Sequence, residues 1–178
     1  MTIPSGSAST CHPPSLEELL DRERVVRHKG SGLEQEDLRG SWILEQVWSK
    51  GRDSPDQLSS FMLRTLGARL EIGTPQTTNG FTLKNSVRLG ALQLRFEGNA
   101  NLKGSRPLMI FQFEHLKIML GNWKLADVRL SPADGKRLPF FALIATGPAE
   151  GSGHPAGQTW LAARGRGGGL ALWLRQEP

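Results

Sequence analysis

The chain has 178 residues, 38% of them hydrophobic and 22% charged, enough apolar material for one packed domain with ragged ends. Lys and Arg number 22 against 17 Asp and Glu, and the net charge of +5 is a mild basic bias toward anionic partners. No run of 18 apolar residues occurs, the longest block being 139-PFFALIA-145, so no segment reads as a transmembrane helix.

Residues 1–14 are rich in Ser, Thr and Pro and lack the charged start and apolar stretch of a secretory signal, so a disordered leader is expected. Their acid-free composition is that of a plastid transit peptide, but Glu17 and Glu18 follow at once. Cys11 is the lone cysteine, which excludes an internal disulfide and a cysteine-based zinc site. His12, His28, His115 and His154 have no i,i+4 partner among themselves, and no metal is expected.

Residues 15–37 are expected to form a helix and linker. Ser15 and Glu18 make a capping box, Leu16, Leu19, Leu20, Glu23 and Val26 follow helical spacing, and Gly30 offers a stop. From residue 38 to 176 the texture is that of strands. The run 41-SWILEQVW-48 places Trp42, Leu44, Gln46 and Trp48 on one face, and Ile43, Glu45 and Val47 on the other. A helix over 54–66 interrupts this pattern. Ser54 is its cap, Pro55 suits its first turn, and Leu58, Phe61, Met62 and Leu66 form one apolar stripe that would cover a barrel mouth.

Further strands are expected at 68–72, 80–89, 91–98, 107–114, 115–120 with 123–130, 138–145, 158–164 and 170–176, with a bulge near Gly90 where apolar parity flips. Residues 147–158 hold no bulky apolar side chain and read as a loop. Eight to ten strands with short turns predict a mostly β fold, an antiparallel barrel with an N-terminal helix and one amphipathic helix after the first strand.

The stretch 164-RGRGGG-169 raises the question of a phosphate cradle. Such a cradle needs a following helix, whereas Leu170, Leu172 and Leu174 alternate as in a strand. A single copy between two apolar strands is unlike a disordered nucleic-acid tether. A hairpin turn using the glycines for positive φ is the expected structure. No nucleophile elbow or zinc-protease motif occurs, and Glu71, Glu97, Glu114 and Asp127 are dispersed, so no catalytic residue is assigned. The aromatics sit in apolar runs, unlike the interleaved basic and aromatic pattern of a nucleic-acid platform, and no nucleic acid is expected as partner. Trp42, Phe96, Phe111, Phe113, Trp123 and Phe140 are instead candidates to line a barrel interior, with Phe61 and Met62 from the covering helix. Gln46 and Gln112 are either polar handles in that interior or outward strand positions.

Two short motifs then combine. Gly40, Trp42 and Leu44 open the first strand, while Arg164, Gly165 and Gly168 precede the last one, from Leu170, with Trp160-Leu161 upstream. In this ordered pair the chain resembles the plastid lipid-associated protein (PAP)/fibrillin family, over about residues 38–175. Arg166 departs from the family's usual Asp, and Gln46-Val47-Trp48 replaces its common tyrosine. The resemblance implies a lipocalin-like barrel, an Arg such as Arg164 or Arg175 packed over Trp42, and non-enzymatic binding or organisation of a carotenoid, quinone or other lipid. A compact chain without a long transit peptide looks more like a cyanobacterial member, in the cytoplasm or peripheral at the thylakoid membrane, with the plastid as location if eukaryotic, and its basic residues favour peripheral contact with an anionic membrane surface. Two rivals are a lipocalin-like bilin lyase, for which Arg88, Arg95 and Arg129 are the scattered cations, and a filled docking barrel without ligand.

Overall fold

The computed structural model describes residues 13–51, 68–77, 80–131, 138–149 and 157–176. The expected leader lies almost wholly outside them, as do the helix 54–66 with Phe61 and Met62 and most of the loop 147–158. Helix α1 (Leu16–Lys29) and the short α2 (Gln35–Leu38) precede β1 (Gly40–Trp48). Eight strands follow: β2 (Arg69–Thr77), β3 (Gly80–Leu89), β4 (Leu92–Lys103), β5 (Leu108–Leu120), β6 (Trp123–Arg129), β7 (Phe140–Pro148), β8 (Thr159–Gly165) and β9 (Leu170–Gln176).

All pairings are antiparallel, in the order β4-β3-β2-β1-β9-β8-β7-β5, and β5 closes the ring on β4. The result is an eight-stranded barrel, as the strand count predicts. Strand β6 lies outside the ring. It pairs with the second half of β5, while β7 pairs with only Leu108–Ile110. Leu130 N–H still donates to Glu114 O, and Phe111 N–H to Pro139 O, so β6 and β7 follow one edge of β5 and the chain leaves that ladder between them. The ends of β3, β4 and β5 therefore project past the barrel with β6 as a four-stranded flange.

Single inserted residues set which face each side chain takes. The register of β1 against β9 shifts between Leu44 and Gln46. Trp42 and Leu44 consequently point inward, whereas Trp48 joins a second cluster on the outside with Leu170 and Leu172. The expected common face of Trp42, Leu44, Gln46 and Trp48 is thus split, because one extra residue in a period-two strand reverses every side chain beyond it. The expected bulge at Gly90 is a two-residue turn instead, with Leu89 opposite Leu92 and φ of 59° at Gly90. Residues 107–120, expected as two strands, form one, with the irregularity at the Glu97/Gly98 step where Glu114 is the extra residue.

Gly98 explains how β5 bends there. A Cβ on it would lie 1.9 Å from the Gln112 carbonyl oxygen and 2.7 Å from Phe113 Cα, both backbone atoms unable to swing away. Gly98→Ala is expected to cost about 2 kcal/mol through this overlap, measurable as a lowered midpoint in urea unfolding.

The barrel interior holds Trp42, Leu70, Ile72, Phe81, Leu83, Met109, Phe111, Leu143, Leu161 and Trp173. Helix α2 closes the end where β1 begins: Leu38 is fully buried, its carbonyl accepts from Trp42 Nε1 at 2.7 Å, and Asp37 O accepts from Arg175 Nη2 at 2.6 Å. Arg175 stacks over Trp42, its Cζ 4.7 Å from the ring centroid, so of the two arginines named for this contact Arg175 makes it. Helix α1 keeps its capping box and ends at Gly30, as its sequence signals. Its Leu19 packs outside the barrel with Ile144, Trp160 and Leu172. Arg22 lies 5.4 Å above Trp160.

Candidate apolar site at the barrel mouth

Alternation along β4, β5, β7 and β9 aligns five rings from these four strands. Trp173 meets Phe141 with centroids 5.4 Å apart, Phe141 meets Phe111 at 5.2 Å, Phe111 meets Phe113 at 5.3 Å, and Phe113 meets Phe96 at 5.5 Å. All four spacings fall where offset or tilted ring pairs attract. Trp173 and Phe111 are buried and Phe141 between them is half-buried, and the row ends on two half-buried rings, Phe113 and Phe96.

The row continues onto the flange. Val87, Leu94, Leu116, Ile118 and Val128 share the face of Phe96 by cross-strand register. Leu94 is 36% and Val128 47% exposed. Asn85 sits opposite Phe96 and Leu70 on the same face, at the boundary of barrel and flange. The arrangement offers a flat apolar solute a floor of rings with one amide at its edge, the usual composition of a small-molecule site.

Three of the expected lining residues therefore share this row: Phe96, Phe111 and Phe113. Trp42 is inward and fully buried, but at the closed end. Trp123 does not join them, being 76% exposed at the far end of the flange. Phe140 alternates away, and its neighbour Phe141 takes the inward position. The sequence reading missed Phe141 and Trp173, because parity across 138–145 and 170–176 could not be anchored without knowing which face meets α1. Gln46 and Gln112 are outward positions, opposite Leu172 and Asn99, so the polar-handle reading of both is set aside.

Outside the barrel, Glu23 is the buried titratable group among the described residues. Its side chain is 3% exposed and accepts from Arg164 Nε at 2.8 and 2.9 Å and Nη2 at 2.6 Å, from Arg106 Nη2 at 3.0 Å and from Arg27 Nη2 at 3.2 Å. Burial alone would raise its pKa, but the hydrogen bonds and charges of Arg164 and Arg27 outweigh that and hold it below the ordinary carboxyl value. Arg164 also donates to Gly168 O at 2.6 Å, which ties the β8–β9 turn to α1. In that turn Gly168 has φ of 85°, and Gly168 N–H donates to Gly165 O, so 164-RGRGGG-169 is the hairpin that its sequence predicts. Arg164, Gly165 and Gly168 thus all take part in this turn. Arg166, where the resembled family has an acid, reaches the Leu138 carbonyl at 2.7 Å.

The outer face of the flange is polar. Asp127 accepts from His115 at 3.2 Å, and this bond, with Lys124 and Lys117 nearby, lowers its pKa against the opposing effect of desolvation. Lys117 pairs with Glu97 at 2.5 Å. Among the described residues no helix is long and apolar enough to span a membrane, and no group of three metal-ligating side chains occurs. No family model and no curated protein matches the chain, so the likeness to the PAP/fibrillin family rests on its two short motifs.

Proposed function

We propose that this protein binds a flat or elongated apolar molecule at the barrel mouth, over Phe96, Phe113 and the inner face of the flange, without transforming it. The observation that carries the reading is the ring row, which ends on the half-buried Phe113 and Phe96 instead of inside the packed core. The closed half of the barrel is filled by Trp42, Leu83, Leu143 and Leu161, all at most 1% exposed, so the ligand belongs at the mouth. The motif resemblance favours a carotenoid, quinone or lipid as occupant and the thylakoid membrane as location. No tightly held cofactor is part of the reading. A bilin lyase is not favoured: the guanidinium groups of Arg88 and Arg95 gather on the outer face, away from the ring row.

The test is organic extraction of the protein purified from its native host, followed by chromatography. A stoichiometric pigment, quinone or lipid is expected, together with at least a tenfold loss of that compound in a Phe113→Ala, Phe96→Ala double variant that stays folded. An empty extract from the parent protein overturns the reading in favour of a ligand-free barrel.

A further inference from the structure

The flange ends in two hairpins of the same design. Leu89-Gly90-Ala91-Leu92 joins β3 to β4, and Leu120-Gly121-Asn122-Trp123 joins β5 to β6. Each has a glycine at positive φ in its first turn position, 59° at Gly90 and 56° at Gly121. Gly121 N–H donates to Ala91 O at 2.7 Å, so the two turns form one tip. That tip carries Leu89 at 65%, Leu120 at 45%, Trp123 at 76% and Leu125 at 56% exposure. Leaving these side chains in water is unfavourable. Clustered apolar exposure of this kind marks an interaction site.

The opposite face of the same strands supplies the second observation. Arg69, Ser86 and Arg95 stand in one cross-strand row, and Arg88 with Gln93 in the next row toward the tip. Together with Glu71 they line a cleft of about 240 Å³ around the buried Ser86. Three guanidinium groups face one carboxylate there, and Arg95 also lies 3.9 Å from Glu97. Arg88 is one position from Leu89, and the Arg69–Ser86–Arg95 row is three, roughly 10 Å from the tip at strand rise. That is about the depth separating inserted side chains from headgroup phosphates. Lys124 adds a cation beside Trp123.

We propose that the flange tip docks on an anionic phospholipid surface, with Leu89, Leu120 and Trp123 inserted and the Arg69–Arg88–Arg95 cluster holding headgroup phosphate. A Trp beside a basic residue is the pairing found at membrane interfaces. A second copy of the chain fits less well. Strand β6 is short, carries a bulge between Lys124 and Ala126, and presents Lys124, Asp127 and Arg129, the features that discourage edge pairing. This inference stands on the tip and the outer face, and does not need a ligand at the barrel mouth.

The experiment is flotation of the full chain with phosphatidylcholine vesicles, with and without phosphatidylglycerol, read alongside tryptophan emission. Trp42, Trp48, Trp160 and Trp173 are at most 6% exposed, so an emission shift reports Trp123. Flotation with the anionic vesicles only and a blue shift are expected. Leu120→Ser with Trp123→Ser should weaken vesicle binding at least tenfold with an unchanged melting temperature. Arg88→Ala should weaken it about fivefold, matching ~1 kcal/mol per basic residue near such a surface, and the Phe96/Phe113 double variant should bind vesicles normally. Absence of flotation, retention of binding in the tip variant, or binding of inorganic phosphate at the arginines without vesicle binding overturns the proposal. So does concentration-dependent dimerisation of the parent chain that the tip variant abolishes.

Discussion

Glu23→Ala is expected to lower the unfolding free energy by about 4 kcal/mol, the scale seen when one partner of a buried ion pair is removed. Glu23 is 3% exposed and Arg164 22%, so deletion of the carboxylate strands a guanidinium group that water reaches poorly. Most of the loss comes from that stranded charge, and the contact with Arg27, itself 54% exposed, adds little. Glu23 also joins three places distant in sequence: α1, the β4–β5 connection through Arg106, and the β8–β9 turn through Arg164. Loss of the network should therefore release α1 from the barrel wall, and hydrogen exchange should rise in Leu19–Val26 before it rises in β1 or β9. A pH signature accompanies it. A carboxyl held below its ordinary 4.5 stabilises the fold fully above that value, and the contribution disappears as pH falls through the lower, folded-state pKa. The parent protein should lose stability across that acid window more steeply than Glu23→Gln, in equilibrium urea unfolding at a series of pH values.

Trp42→Ala should cost about 4 kcal/mol, the usual price of emptying a buried Trp site. The ring is fully buried, its Nε1 is bonded to the Leu38 carbonyl, and Arg175 lies over its face. For a chain of this length the expected fall in melting temperature is roughly 10 °C. Two milder variants separate the parts. Trp42→Phe keeps most of the volume but leaves the Leu38 carbonyl without its donor, for about 1–2 kcal/mol. Arg175→Met keeps the apolar stem over the ring and removes the charge, for about 1 kcal/mol. Calorimetry on the three variants checks the order. If Trp42→Phe proves as damaging as Trp42→Ala, the hydrogen bond to α2, and not filling of the barrel, is what closes that end.

Local signals in the chain were reliable where they depend on neighbours in sequence. The Ser15/Glu18 capping box, the stop at Gly30 and the 164-RGRGGG-169 turn all depend on backbone groups within a few residues, and all three form. The alternation of Phe111 with Phe113, and of Leu170 with Leu172 and Leu174, gave correct strands for the same reason. Faces were less legible. Whether Trp48 points in or out depends on one inserted residue near Glu45, and that insertion is visible only against β9. Phe140 and Phe141 are equivalent apolar neighbours until β5 and β8 choose between them. Glu23 carried a signal of its own, a carboxylate within the apolar stripe of α1. Arg27 is its i,i+4 neighbour on the helix, but Arg106 and Arg164 are 83 and 141 residues away in sequence, so no local pattern names them.

The sequence by itself determined a mostly β chain of eight to ten strands, a capped N-terminal helix and a glycine hairpin near the end, because period-two alternation, capping and positive φ are local properties of the backbone. Only the tertiary structure decided that β5 serves two neighbours, β7 in the barrel and β6 in the flange. That division exposes Leu89, Leu120 and Trp123 and gathers Arg69, Arg88 and Arg95 behind them. The physical reason is that strand pairing and side-chain facing are set by hydrogen-bond register between distant segments. A single bulge reverses a face, and no run of neighbouring residues records which partner will be met.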